Sequence, residues 1–171
     1  MGVYSKETKS FVKVEAGNHS AICFAVVDMG QQSSEYEGKK TFVNKVALGF
    51  RLETDRVFWT IYTNSLHEKS RLRKVLEIWR NKKFTPEELN GFDLSRLIGV
   101  STTATLEEKD QYLNITELKP PTKKLELYPN ESIMYDGTEK GVLGRLPRWL
   151  REKCLDSGSH PSEATTDDLP F

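Results

Sequence analysis

The sequence predicts a mainly β domain: five strands closing a small barrel, a helical insertion after the third strand, a short C-terminal helix and a disordered acidic tail. Three observations carry this. Apolar runs rich in Val, Ile, Phe, Tyr and Thr come as a group of three and then a group of two. The hydrophobic period changes from two to 3.6 only between those groups. All apolar periodicity ceases after residue 154.

Residues 1–17 alternate weakly and close on Gly17-Asn18, a turn signal, which sets them apart as an N-terminal segment. The first strand is predicted over 19–29 (HSAICFAVVDM), apolar on both phases as a buried barrel strand would be. Residues 30–40 (GQQSSEYEGKK) read as a polar loop between glycines. The second strand, 41–52, alternates: Phe42, Val46, Leu48, Phe50 and Leu52 take the core face, and Val43, Lys45, Ala47, Gly49 and Arg51 the outer face. After the acidic turn Glu53-Thr54-Asp55, the third strand covers 56–63 (RVFWTIYT).

Leu72, Val75, Leu76 and Trp79 then stand at i, i+3, i+4 and i+7, an amphipathic helix with Ser65 and Glu68 at capping-box spacing ahead of it. A second, short helix is signalled by Thr85-Pro86-Glu87-Glu88, with Thr85 as N-cap, Pro86 in the first turn and Glu88 closing the box. One more helical turn fits 93–98, stopped by Gly99. Strands over 100–106 and 112–118 follow, separated by the charged turn 107–110 and ended by Pro120-Pro121. Residues 120–143 read as a connector. A helix over 146–154 presents Leu146, Trp149 and Leu150 as its apolar side, for packing onto the barrel or a partner.

The order β-β-β-α-β-β within about 100 residues is that of the oligonucleotide/oligosaccharide-binding (OB) barrel. An SH3-like barrel also has five strands, but it needs no long helical excursion after the third. The predicted organisation is therefore an N-terminal segment (1–17), an OB-type nucleic-acid-binding domain (18–119), a connector with a short helix (120–154) and an acidic tail (155–171).

The 171 residues carry 25 Lys plus Arg against 25 Asp plus Glu, a formal net charge of zero. The charge is unevenly spread. Residues 155–171 hold four acids (Asp156, Glu163, Asp167, Asp168) and no Lys or Arg, which leaves 25 basic and 21 acidic residues in 1–154, a net of +4. Such asymmetry marks nucleic-acid partners and interaction tails. The tail, rich in Ser, Thr, Gly and Pro, cannot bury enough apolar surface to offset chain entropy. No apolar run reaches the roughly 20 residues of a transmembrane helix, and residues 1–10 are polar, without a signal-peptide core. Cys23 and Cys154, 131 positions apart, match no metal or redox spacing and read as reduced thiols. The expected setting is the cytoplasm, where thiols stay reduced.

Catalysis finds little to build on. His19, His67 and His160 pair with no Cys or carboxylate at ligand spacing, and the chain has neither a Gly-rich phosphate loop nor a nucleophile elbow. The expectation is a protein that is not an enzyme, with no cofactor, metal or small-molecule substrate. Binding is better supplied. Single-stranded nucleic acid needs cations for its phosphates and aromatic platforms for its bases. In an OB barrel these lie on the outside of strands two and three and on the loops joining strands one–two and four–five. The first loop offers Tyr36, Lys39 and Lys40. Strand two offers Lys45 and Arg51, spaced by Ala47 and Gly49, whose small size would let a strand of nucleic acid lie close. Strand three offers Arg56, Trp59 and Tyr62, and the four–five loop Lys109 and Tyr112. Phe58 and Tyr62 share one phase of strand three, Val57, Trp59 and Ile61 the other, so only one set faces out. Any single Lys of this set reads as well as solvated surface; their collection on one face is the signal. The basic run Lys69, Arg71, Arg73, Lys74, Arg80, Lys82 and Lys83 fits an auxiliary phosphate track, but better the polar face that the helix requires. Asp167-Asp168-Leu169-Pro170-Phe171 combines two acids, a rigid Pro and a terminal Phe, chemistry suited to a partner pocket with an apolar floor and a basic rim.

With that terminus the chain resembles single-stranded DNA-binding proteins (SSBs). Bacterial SSBs end in an acidic tip of the form Asp-Asp-Asp-Ile-Pro-Phe; here the residues are Thr166-Asp167-Asp168-Leu169-Pro170-Phe171, one acid fewer and Leu for Ile. The body resembles a bacteriophage-encoded SSB family in the run from Tyr62 through Arg73 with Trp79, in Phe84 through Leu94, and in Tyr112-Leu113-Asn114-Ile115-Thr116. The resemblance covers residues 18–120 and the tip. It implies a protein of phage replication, recombination or repair that coats single-stranded DNA and recruits replication and repair proteins through Asp167–Phe171. The alternative is an OB-fold adaptor or SSB mimic that binds proteins, or RNA, instead.

Overall fold

The computed structural model describes Gly2 and residues 13–156. The predicted tip, Asp167, Asp168, Leu169, Pro170 and Phe171, lies outside the described residues. The described residues are mainly β, with six strands and a few short helices among them: β1 (Gly17–Tyr36), β2 (Lys39–Leu52), β3 (Val57–Thr63), α1 (Arg71–Arg80), α2 (Pro86–Leu89), a 3₁₀ turn (Leu94–Leu97), β4 (Ser101–Lys109), β5 (Tyr112–Lys119), β6 (Ile133–Tyr135), a second 3₁₀ turn (Lys140–Arg145) and α3 (Arg148–Leu155).

The strands form one sheet in the order β3-β2-β1-β4-β5, all antiparallel, and β6 joins β1 in parallel. β1 pairs with β4 only through Gly17–Ile22; β6 takes over the same edge at Ala25–Val27. Between the two, the Gly99 amide donates to the Cys23 carbonyl and the Cys23 amide to the Val100 carbonyl. Gly99 has φ +92, a conformation that side-chain-bearing residues rarely adopt, and it turns the chain into β4 there. β3 and β5, at the two ends of the sheet, touch each other, but no ladder of backbone hydrogen bonds joins them among the described residues. By hydrogen bonding the sheet is open.

Two apolar layers flank it. The first gathers Ala21, Cys23, Val46, Leu48, Phe50, Leu52, Tyr62, Ala104, Leu106, Ile115 and Leu118 from β1 to β5, under Leu72, Val75, Leu76 and Trp79 of α1. The predicted helix face is thus the buried one, and the Trp79 indole donates 2.8 Å to the Ser101 carbonyl. The second layer lies on the opposite face of β1–β2. There Phe24, Ala25, Val27, Met29 and Ala47 meet Ile133, Tyr135, Leu143, Leu146, Leu150 and Cys154. Residues 120–143, read as a connector, therefore contribute a strand and most of a 3₁₀ turn, which together with the predicted C-terminal helix roof the outer face of the sheet. α3 packs on β1 through Leu150 and Cys154, while Trp149, expected on its apolar side, is 42% exposed.

Two local expectations change and a third holds. The stretch 30–40 is not a loop: β1 continues to Tyr36 and β2 begins at Lys39, joined by a two-residue turn with φ +52 at Glu37 and +78 at Gly38. A ribbon wet on both faces has no apolar period, so pattern reading misses it. The N-cap of α1 is Ser70, whose hydroxyl accepts from the Arg73 amide at 3.1 Å; the Ser65 hydroxyl instead accepts from the His67 amide in the preceding turn. The capping box of α2 forms as read, between Thr85 and Glu88.

Candidate functional site

The phase of β3 decides which side chains are available. Phe58, Thr60 and Tyr62 point into the first layer, and Tyr62 is 4% exposed. Burial pushes its phenol above the ordinary value of 10, and the Arg71 guanidinium stands 5.4 Å over its ring. Tyr62 is therefore not an open stacking platform. Trp59 and Ile61 take the outer face, half-buried beneath the roof. The Trp59 indole lies over Gly49 and meets Phe24 edge to face at 5.6 Å. The small residues of β2 thus make room for the protein's own tryptophan, with Ala47 in the second layer.

Arg51 is also removed from the surface. Its side chain is 7% exposed, and its guanidinium donates to both carboxylate oxygens of Glu131 and, at 2.8 Å, to the Glu126 carbonyl. The Tyr128 ring covers it 3.8 Å from Cζ. Arg51 faces outward as the alternation predicts, yet serves as a clasp for the segment that closes over it. Tyr128 continues the clasp by donating its hydroxyl to Asp55 at 2.6 Å.

The remaining predicted residues fall in separate places. Tyr36, Lys39 and Lys40 lie at the tip of the β1–β2 ribbon, with both lysines exposed. Lys109 and Tyr112 form the β4–β5 hairpin, past the other end of β1, where Gly17 pairs with Leu106. Tyr112 is 74% exposed. Arg56 is exposed in the β2–β3 turn. Lys45 stands at the root of the ribbon, paired with Gly30 on one side and Thr63 on the other. The β1–β2 and β4–β5 hairpins therefore do not converge on one patch.

What the structure does bring together is basic. Lys45, His67, Lys69 and Arg71 line a cleft of about 510 Å³ with Ile61, Tyr62, Thr63, Ser65 and Ser70, and among the described residues no carboxylate lines it. A second cleft, about 660 Å³, is lined by Lys74, Glu77, Ile78, Asn81, Lys82, Lys83 and Pro120. Two of the acids near α1, Glu77 and Glu88, are already engaged, while Glu68 and Glu87 are exposed. Glu77 accepts from the Phe84 amide at 3.0 Å and from Arg73, and these hold its carboxyl below the ordinary glutamate value. Glu88 accepts from the Thr85 amide and pairs with Arg80 at 2.9 Å.

One feature escapes the sequence reading and another is underweighted by it. Phe42, placed on the core face by its phase, is 60% exposed, because the first apolar layer stops at Val46 and the ribbon beyond has nothing for that face to pack on. Asn44, the polar residue between Phe42 and Val46, is the signal that could have found it. The Lys69–Arg71 cleft lies in the basic run that the sequence fits both to a phosphate track and, better, to the polar face of the helix.

Among the described residues, no group of His, Cys, Asp and Glu is placed to hold a metal ion, and no helix is long and apolar enough to cross a membrane. No family model and no curated protein matches the chain.

Proposed function

We propose that the chain is an OB-type single-stranded DNA-binding protein that coats DNA with its barrel and β1–β2 ribbon and recruits replication or repair enzymes through Asp167–Phe171. The strand order, the contact between β3 and β5 around a shared core, and a helix between β3 and β4 support the OB reading. One observation carries the binding surface. The ribbon extends past the core with Lys40 and the 60% exposed Phe42 on one face and Lys39 on the other. Phe42 shares its face with Lys40 and with Glu35, the cross-strand partner of Lys40; an exposed ring beside a cation has no packing role at the end of a polar ribbon, and it has the chemistry of a base-stacking platform with a phosphate contact next to it. The tip adds the second half of the function, since its acids and apolar residues suit a basic-rimmed pocket on a partner.

The test is a salt titration of the full chain on labelled single-stranded DNA, single-stranded RNA and duplex. The reading expects sequence-tolerant binding to single strands, with log affinity falling by about 0.7 per phosphate contact against log salt. Deleting Asp167–Phe171 should leave that affinity intact or slightly raised. No binding to single strands, or a flat salt response, overturns the reading in favour of a protein-binding adaptor; preference for RNA moves the substrate class.

A further inference from the structure

We infer that the single strand runs from the ribbon across the end of the sheet and along the exposed face of α1, held by Lys45, Lys69, Arg71 and Lys74, rather than over the outer face of β2–β3. This rests on the proposed function and assigns the path of the strand.

Three observations lead there. The outer face of β1–β2–β3 already has an occupant: Ile133, Tyr135 and Leu150 are buried against it, Trp59 fills the space over Gly49, and Arg51 is spent on Glu131. A strand of nucleic acid would have to displace an apolar layer and a buried ion pair. Next, Arg71, Lys74 and Ile78 recur at i, i+3 and i+7, so they share one face of α1, opposite the buried Leu72, Val75, Leu76 and Trp79. Arg71 lines the first basic cleft and Lys74 and Ile78 the second, which makes one stripe of the two clefts. Last, the cations of this stripe are unspent. Lys45, Lys69, Arg71, Lys74, Lys82 and Lys83 make no ion pair among the described residues, whereas Arg73 and Arg80 on the neighbouring half-buried side are paired with Glu77 and Glu88.

The stripe also joins the ribbon. Lys45 is three residues along β2 from Phe42, about 10 Å at strand rise and on the opposite face of the ribbon, so the strand must cross the ribbon edge to reach the cleft that Lys45 lines with Lys69 and Arg71. From Arg71 to Ile78 the helix adds roughly another 10 Å. Phosphates would follow the cations while Phe42 and the 55% exposed Ile78 offer apolar contacts to bases or sugars. The helix end contributes little by itself, since its amides are partly capped by Ser70; the cationic side chains carry the site.

The experiment uses the full chain and fluorescence anisotropy with a labelled oligothymidylate of about 30 nucleotides, long enough to exceed one OB-fold site. The variant Lys69→Gln/Arg71→Gln/Lys74→Gln is compared with Lys124→Gln/Lys140→Gln, exposed lysines away from the stripe. Because the altered side chains are exposed, melting temperatures should match the parent, and Lys69→Arg/Lys74→Arg, which keeps both charges, serves as a second variant. The expected result is a salt slope shallower by about 2, three contacts at about 0.7 each, and at least tenfold weaker binding for the Gln triple, with parental behaviour for the other two variants. If the parent binds and the triple keeps its slope and affinity, the path is wrong while the proposed function stands. If the parent does not bind the oligonucleotide, both fail. If the triple loses binding to polyglutamate while oligonucleotide binding is unchanged, the stripe serves an acidic protein surface and the inference is overturned.

Discussion

The indole of Trp59 lies against Gly49 so closely that a Cβ there would stand 2.9 Å from Cζ3 and 3.0 Å from Cη2, with the Ala25 Cβ also at 3.0 Å. Gly49 is needed for space and not for an unusual backbone angle. Gly49→Ala must push Trp59 off Phe24 or move β2 against β1. Overpacking of this kind costs about 1–3 kcal/mol, and at about 2–4 °C per kcal/mol the melting temperature should fall several degrees. Pairing it with Trp59→Leu, which vacates the clash, should recover part of the loss. An unchanged melting temperature in Gly49→Ala would show that the roofed face is loosely packed.

The Arg51–Glu131 pair ties the roof to β2. Glu131 also accepts the Tyr128 amide at 2.8 Å, so one carboxylate organises the turn and the clasp together. Arg51→Met leaves that carboxylate, 13% exposed, without its cation, and breaking a buried pair costs about 3–5 kcal/mol. Glu131→Gln, which keeps hydrogen-bonding capacity, should cost less. Amide exchange should quicken first at Tyr128 and Leu125, whose N–H groups are held by Glu131 and Ser101, while the α1 amides stay protected.

Acid should destabilise the fold in a definite window. The Phe84 amide and the Arg73 guanidinium hold Glu77 below its ordinary 4.5, and the Thr85 amide and Arg80 do the same for Glu88. Caps from Ser95 and Thr138 lower Asp93 and Asp136 from 3.8. A depressed folded-state value means the unfolded chain takes up protons first. This stabilisation is therefore fully present above 4.5 and is lost as pH falls through the lower folded values. The melting temperature should hold between pH 7 and about 5, then drop. Glu77→Gln should flatten that drop and lower the plateau, as followed by circular dichroism.

The thiols should be inert. Burial pushes Cys23 up to about 12 and Cys154 up to about 11, and the two sit in different apolar layers. Neither should react with a disulfide reagent at pH 8 in the native state, and both should react at once in denaturant, since the thiolate is the nucleophile. Fast labelling of Cys154 alone would mean that α3 opens independently of the rest.

How far the sequence foretold this depends on whether a segment packs against its own neighbours. The face Leu72, Val75, Leu76, Trp79 and the Thr85–Glu88 box are local, and both form as read. Strand phase in β2 held from Val46 to Leu52, where one side meets the core. What stayed hidden was tertiary. Arg51 alternates outward and is buried by residues 80 positions later. β6 is three residues long and gains its place only from the edge that β4 vacates. Trp59 and Tyr62 differ by one phase, and only the assembled sheet assigns which is inside.

Phe42 offers the sharpest separation of binding from folding. Its ring is 60% exposed and sits on a ribbon whose strands are held by backbone pairing with Ser33, so removing it should change stability by no more than about 0.5 kcal/mol. A stacked base is worth about 1–3 kcal/mol, so Phe42→Ala should weaken single-strand binding by roughly tenfold or more. The salt slope should not change, because the lost contact is to a base and not to a phosphate. That pattern is the converse of the one expected from Lys69, Arg71 and Lys74, where the slope falls, and Phe42→Tyr should restore the affinity by keeping the ring. If Phe42→Ala binds as the parent does, the ribbon contributes charge alone and the bases are held elsewhere. If it melts several degrees lower instead, the ring packs on the fold, and its exposure has no bearing on DNA.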